Sequence, residues 1–88
     1  INDGSDMVWL QLSAARAIRR TDFVSASQLM LEAARLNGRR ETYWFAYRLA
    51  RRADDRQAML ESLQTLQRLS PDDAEVHRRV GMLMLDLG

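Results

Sequence analysis

Pro71-Asp-Asp-Ala-Glu-Val-His-Arg-Arg-Val-Gly-Met-Leu-Met-Leu-Asp-Leu-Gly88 decides the reading of this chain. A proline closes one helix, because its ring cannot continue the hydrogen-bond ladder. Two aspartates then open another, where a carboxylate meets the positive pole of the helix dipole. A glycine follows an apolar residue inside that helix, at Val80-Gly81.

Working outward, the same punctuation predicts five helices and no strand. The first runs from about Met7 to Arg20, with Ser5 or Asp6 as its N-cap. Trp9, Leu12 and Arg16 recur on it at helical spacing, and Val8, Ala15 and Ile18 widen the stripe. The second runs from about Phe23 to Asn37 and stops at Asn37-Gly38, two residues that tolerate the left-handed conformation. The third covers about Glu41–Arg52, the fourth Asp55–Leu69, and the fifth Asp73–Leu87. Ala26, Met30, Ala33 and Leu36 share a spacing with Met59, Leu63, Leu66 and Leu69. Short turns between helices imply antiparallel neighbours.

Self-comparison shows a repeat. At a step of 34, Trp9, Tyr43 and His77 align, as do Leu12, Ala46 and Val80, and Ser13, Tyr47 and Gly81. The even helices align at about 33, which makes the first hairpin turn one residue longer than the second. Trp9-x-x-Leu12-Ser13, Ala26-x-x-x-Met30, Pro71 and Val80-Gly81 together resemble the tetratricopeptide repeat. The resemblance implies an all-α fold, an α-solenoid of antiparallel helix hairpins. Residues 1–6 are then a lead-in, 7–38 and 39–72 two repeats, and 73–88 the first helix of a third. In this pattern small residues let paired helices approach. Tyr47 departs from it by placing a ring where the family has glycine. A free-standing five-helix bundle is the alternative fold.

Composition narrows the function classes. An apolar fraction of 47% supports a packed core. There is no cysteine, which removes disulfides and cysteine metal sites. Net charge is +1, and all thirteen basic residues are arginine. That usage suggests a GC-rich bacterial genome, or selection for planar, bidentate recognition. No apolar run approaches the roughly 20 residues of a membrane span. Both ends of the chain read as cuts through a longer protein.

Catalytic material is sparse. His77 is the only histidine and falls where the repeat family packs an aromatic residue. Asp54-Asp55 and Asp72-Asp73 precede helices and read as dipole caps. No metal ligand set, Gly-rich phosphate loop or nucleophile–base spacing is present. The expectation is therefore a binding module and not an enzyme, with no cofactor.

In the family resemblance, the first helix of each hairpin lines a concave groove. That implies a groove of Leu10, Ala14 and Ala17, then Trp44, Arg48 and Arg51, then Arg78, Met82 and Leu85. Arginine forks pair with carboxylates and stack on rings, so the expected partner is a protein offering an acidic or aromatic segment. The known carboxylate clamp of this family uses Lys and Asn, where Leu10 and Ala14 stand here. The resemblance points to a scaffold in a bacterial assembly, with envelope secretion or exopolysaccharide export as analogies and the periplasm or cell envelope as compartment. The alternative is a polymer binder, for polysaccharide or RNA, stacking on Tyr43, Trp44 and Tyr47. Near-zero net charge speaks against nucleic acid. The apolar last helix, with Met82, Leu83, Met84, Leu85 and Leu87, implies either self-association or cover by neighbouring repeats of a longer parent.

Overall fold

The computed structural model describes residues 5–87, and the side chains of residues 8–85. The described chain is all-helical, in the order α1 (Ser5–Arg19), α2 (Phe23–Asn37), α3 (Arg40–Ala53), α4 (Arg56–Leu69) and α5 (Ala74–Leu87). Ser5 and Asp6 are already helical, so α1 begins two residues before the expected start. The side chains of Ser5 and Asp6, expected as caps, lie outside the described residues, as do residues 1–4.

Local chemistry explains the boundaries. Asp22 and Asp55 cap α2 and α4, accepting the N–H groups of Ser25 at 3.2 Å and Ala58 at 3.1 Å. Asp73 does the same for α5, accepting from Glu75 at 3.0 Å. Gly38 ends α2 in the left-handed region (φ 66°), and its N–H returns to Ala34 O at 2.7 Å.

Helices pack mainly on their neighbours in chain order, α1 on α2 through to α4 on α5, and α2 also meets α4. Among the described residues no Cα of α1 lies within 8 Å of α3, nor any of α3 within 8 Å of α5. The molecule is flattened, 38 × 27 × 15 Å. Its core is rich in alanine: Ala14, Ala17, Ala26, Ala33, Ala34, Ala46, Ala50 and Ala58 are all buried. Such small side chains let helix axes approach closely. Leu63, Leu66 and Val76 fill the larger spaces. The two buried serines are satisfied inside their own helices, Ser27 donating to Val24 O and Ser62 to Ala58 O, each at 2.9 Å.

The turn after α1 recurs after α3 at a step of 33, where 34 was expected for the odd helices. Thr21 and Asp54 are both left-handed at φ 56°. The following N–H groups return to matching carbonyls, Asp22 to Ala17 at 2.8 Å and Asp55 to Ala50 at 2.9 Å. The caps Asp22 and Asp55 match too. The two turns are thus alike in their hydrogen bonding, and the first is one residue longer, as expected, because α1 stops at Arg19 and leaves three residues before α2 where α3 and α4 are separated by two. A step of 33 brings Leu10, Tyr43 and Val76 together, and Ala17, Ala50 and Leu83; all six are buried.

One residue of slip turns a helix by about 100°, so the expected faces change. Trp9 and Leu12 are not core residues; they are 62% and 61% exposed. His77 is exposed as well. Its Nδ1 accepts from Gln67 Nε2 at 3.0 Å and its Nε2 donates to Pro71 O, which ties the α4–α5 turn together. Gly81 is not a close-approach point, since a Cβ built on it meets no heavy atom within 4 Å.

Leu66→Ala should lower unfolding free energy by about 2–5 kcal/mol, the cost of truncating a fully buried leucine. Urea denaturation followed by circular dichroism measures this, and an unchanged midpoint would place Leu66 outside the core. Gly81→Ala should instead stabilise by about 0.5–1 kcal/mol, because glycine inside a helix loses more backbone entropy and nothing here needs the space. A lower melting temperature for this variant would mean that the glycine is required.

Candidate functional site

The backbones of the odd helices stand apart, and the spaces between them are grooves. The first, about 390 Å³, lies between α1 and α3 and is lined by Gln11, Ala15, Ile18, Thr42 and Phe45, among others. The second, about 640 Å³, lies between α3 and α5. Trp44, Tyr47, Arg48 and Arg51 form its α3 wall, and Glu75, Arg78 and Arg79 its α5 wall.

The α3/α5 groove is organised by Arg79. Its Nε donates to Glu75 Oε2 at 2.6 Å, and its Nη1 to the Tyr47 hydroxyl at 3.4 Å. The same guanidinium lies 5.6 Å from the Tyr47 ring centroid and 6.0 Å from that of Trp44. Trp44 and Tyr47 meet edge to face, centroids 5.7 Å apart. Arg78 shares the Glu75 carboxylate. At the N-terminal ends of the two helices, Arg40 reaches Asp73 at 3.7 Å. Long arginine arms thus bridge a gap that the backbones leave open.

Arg48 and Arg51 behave differently. Both are exposed, and neither makes an ion pair among the described residues. Glu41 lines the same groove, but it lies 3.8 Å from Arg39. Arg52 is engaged, its guanidinium 5.5 Å from the Phe23 centroid. The groove therefore presents two uncommitted guanidiniums beside a half-buried indole.

Of the residues expected to bind, Trp44, Arg48, Arg51 and Arg78 share this groove. Leu10 and Ala14 do not belong to it: they are buried in the core, because the step of 33 turns that face of α1 inward. Ala17 is buried for the same reason. Met82 lies one turn beyond Arg78, exposed and outside the groove lining. Glu75 and Arg79 were missed, and Tyr47 was expected only as a stacking ring for a polymer. The i,i+4 spacing of Glu75 and Arg79 is legible as an ion pair, but its position against Tyr47 is not. On α5, Met82, Met84 and Leu85 are exposed, whereas Leu83 is buried; the side chain of Leu87 lies outside the described residues.

No group of three or more His, Asp or Glu side chains among the described residues is placed to hold a metal ion. No described helix is long and apolar enough to cross a membrane. No known family, curated protein or solved structure matches the chain.

The hydrogen bond from Arg79 holds the Glu75 carboxyl below the usual carboxylate range, and the charge of Arg78 adds to it. Arg35, bonded to both oxygens of Glu61 at 2.7 Å, does the same between α2 and α4. In each case the folded pKa is below the unfolded one. The stabilisation is complete above the unfolded value, about 4.3, and is lost as pH falls through the folded value. The melting temperature should therefore drop on acidification below ~pH 4.3. A Glu61→Gln, Glu75→Gln double variant should show a flatter profile in that window; a profile parallel to that of the parent chain would refute the assignment.

Proposed function

We propose that the chain is an interaction module of stacked helical hairpins, similar to a tetratricopeptide array. Its α3/α5 groove takes an acidic segment of a partner protein, and the module acts as a scaffold element in a larger bacterial assembly. Recurrence of one turn at a step of 33, with packing in chain order, supports the stacked-hairpin reading.

The observation that carries the binding reading is the pair Arg48 and Arg51. Cations gather in the last turn of a helix to offset its dipole, which accounts for Arg51 but not for Arg48. Two like charges one turn apart repel by about 0.2–0.5 kcal/mol. A carboxylate-bearing ligand removes that repulsion, and two guanidinium forks receive it. The alternative of a stacking platform for sugars or bases is weaker. Tyr43 and Tyr47 are buried, and Arg79 with Tyr47 already packs on Trp44.

A fluorescein-labelled peptide carrying a run of glutamates tests this by fluorescence anisotropy. Arg48→Glu should weaken its binding at least tenfold, about 1.4 kcal/mol, with far-UV circular dichroism unchanged. Equal binding by the variant would remove the arginines from the function.

A further inference from the structure

The two grooves occupy equivalent places in the repeat. Gln11, Ala15 and Ile18 on α1, moved by 33, become Trp44, Arg48 and Arg51 on α3. On the opposite walls, Thr42 and Phe45 become Glu75 and Arg78. The same trough is thus built twice, once apolar and once cationic. Glu41 lines both grooves, so they adjoin around the start of α3.

From this we infer that the partner segment is bipartite: an apolar side chain seats in the α1/α3 groove while neighbouring carboxylates seat against Arg48 and Arg51. The inference rests on the reading of the α3/α5 groove given above. Charge selects the order. Ala15, Ile18, Met30 and Phe45 offer no cation to a carboxylate, whereas Arg48 and Arg51 of the other groove do; Glu41 lines both grooves and does not distinguish them. Phe45 is 40% exposed there, and covering it removes apolar surface from water.

The occupant is a protein segment and not a nucleic acid. A phosphodiester chain carries charge at every step and would place phosphates over Ile18, Phe45 and Glu41. A peptide alternates charged and apolar side chains freely. The grooves flank a single helix, whose diameter with side chains is about 10–12 Å. An extended chain rises about 3.3 Å per residue, so the apolar and acidic anchors are separated by about three to four residues.

Three labelled peptides test this on the chain as it stands: a glutamate run alone, the run with a phenylalanine about three residues away on either side, and the run with phenylalanine about ten residues away through a Gly-Ser linker. The near phenylalanine should tighten binding about tenfold over the run alone, and the distant one should add less. Ala15→Gln and Phe45→Ala should each bring the ratio of the two affinities close to unity. If the run binds but phenylalanine adds nothing, or the gain survives both variants, the bipartite inference fails and the cationic groove stands. If the run does not bind at all, the reading of the α3/α5 groove itself fails. Tighter binding of a polyuridine oligonucleotide than of any peptide would overturn both, in favour of nucleic acid.

Discussion

Two peptide hydrogen bonds, Asp22 N–H to Ala17 O and Asp55 N–H to Ala50 O, hold the architecture in register. Each closes a turn that forces the residue before it into the left-handed region. For Thr21 and Asp54, which carry a Cβ, that costs about 1–2 kcal/mol each. The cost is offset locally, because the next residue is an aspartate that caps the following helix. With the same turn used twice, α2 leaves α1 as α4 leaves α3. Part of the inward face then coincides: Leu10, Ala14 and Ala17 match Tyr43, Tyr47 and Ala50, and Met30 and Ala33 match Leu63 and Leu66, whereas Arg16 is exposed where Leu49 is buried.

The grooves follow from that geometry. α1, α2 and α3 bury alanine-rich faces, and α4 and α5 add Leu63, Leu66, Val76 and Leu83; each helix packs mainly on its sequence neighbours, so the backbones of the odd helices stay apart. What remains between them is lined by the flanks of α1, α3 and α5. Residues there are released from packing, and their chemistry is free to differ between repeats. One flank carries Ala15 and Ile18, and its counterpart carries Arg48 and Arg51.

The exclusive use of arginine has a structural consequence. Arg35 grips Glu61 with two parallel bonds. Arg52 lies over Phe23, and Arg79 combines a carboxylate, a phenol and two ring contacts. A planar guanidinium forms bidentate and stacked contacts that an ammonium cannot reproduce. Exposed ion pairs contribute only about 0–1 kcal/mol. These arginines therefore serve as side-chain links between helices, Arg35 joining α2 to α4, Arg52 joining α3 to α2 and Arg79 joining α5 to α3.

The helices themselves were legible in the sequence, because their ends are encoded within three or four residues. Asp22, Gly38, Asp55 and Asp73 sit where caps are needed, and α2 has the expected limits. The clustering of Trp44, Arg48 and Arg51 was legible for the same reason, since spacing on one helix is a local property. The inward face of α1 was not. Leu10, Ala14 and Ala17 make one apolar stripe, and Val8, Trp9 and Leu12 make another. Periodicity alone cannot choose between two stripes. Only contact with α2, set by the turn at Thr21, decided which one is buried, and the same rotation left His77 and Gly81 exposed. Tertiary packing also brought Arg79 to Tyr47, thirty-two residues away, because a side-chain meeting across separate helices depends on where the backbones come to rest and not on the order of residues within either one.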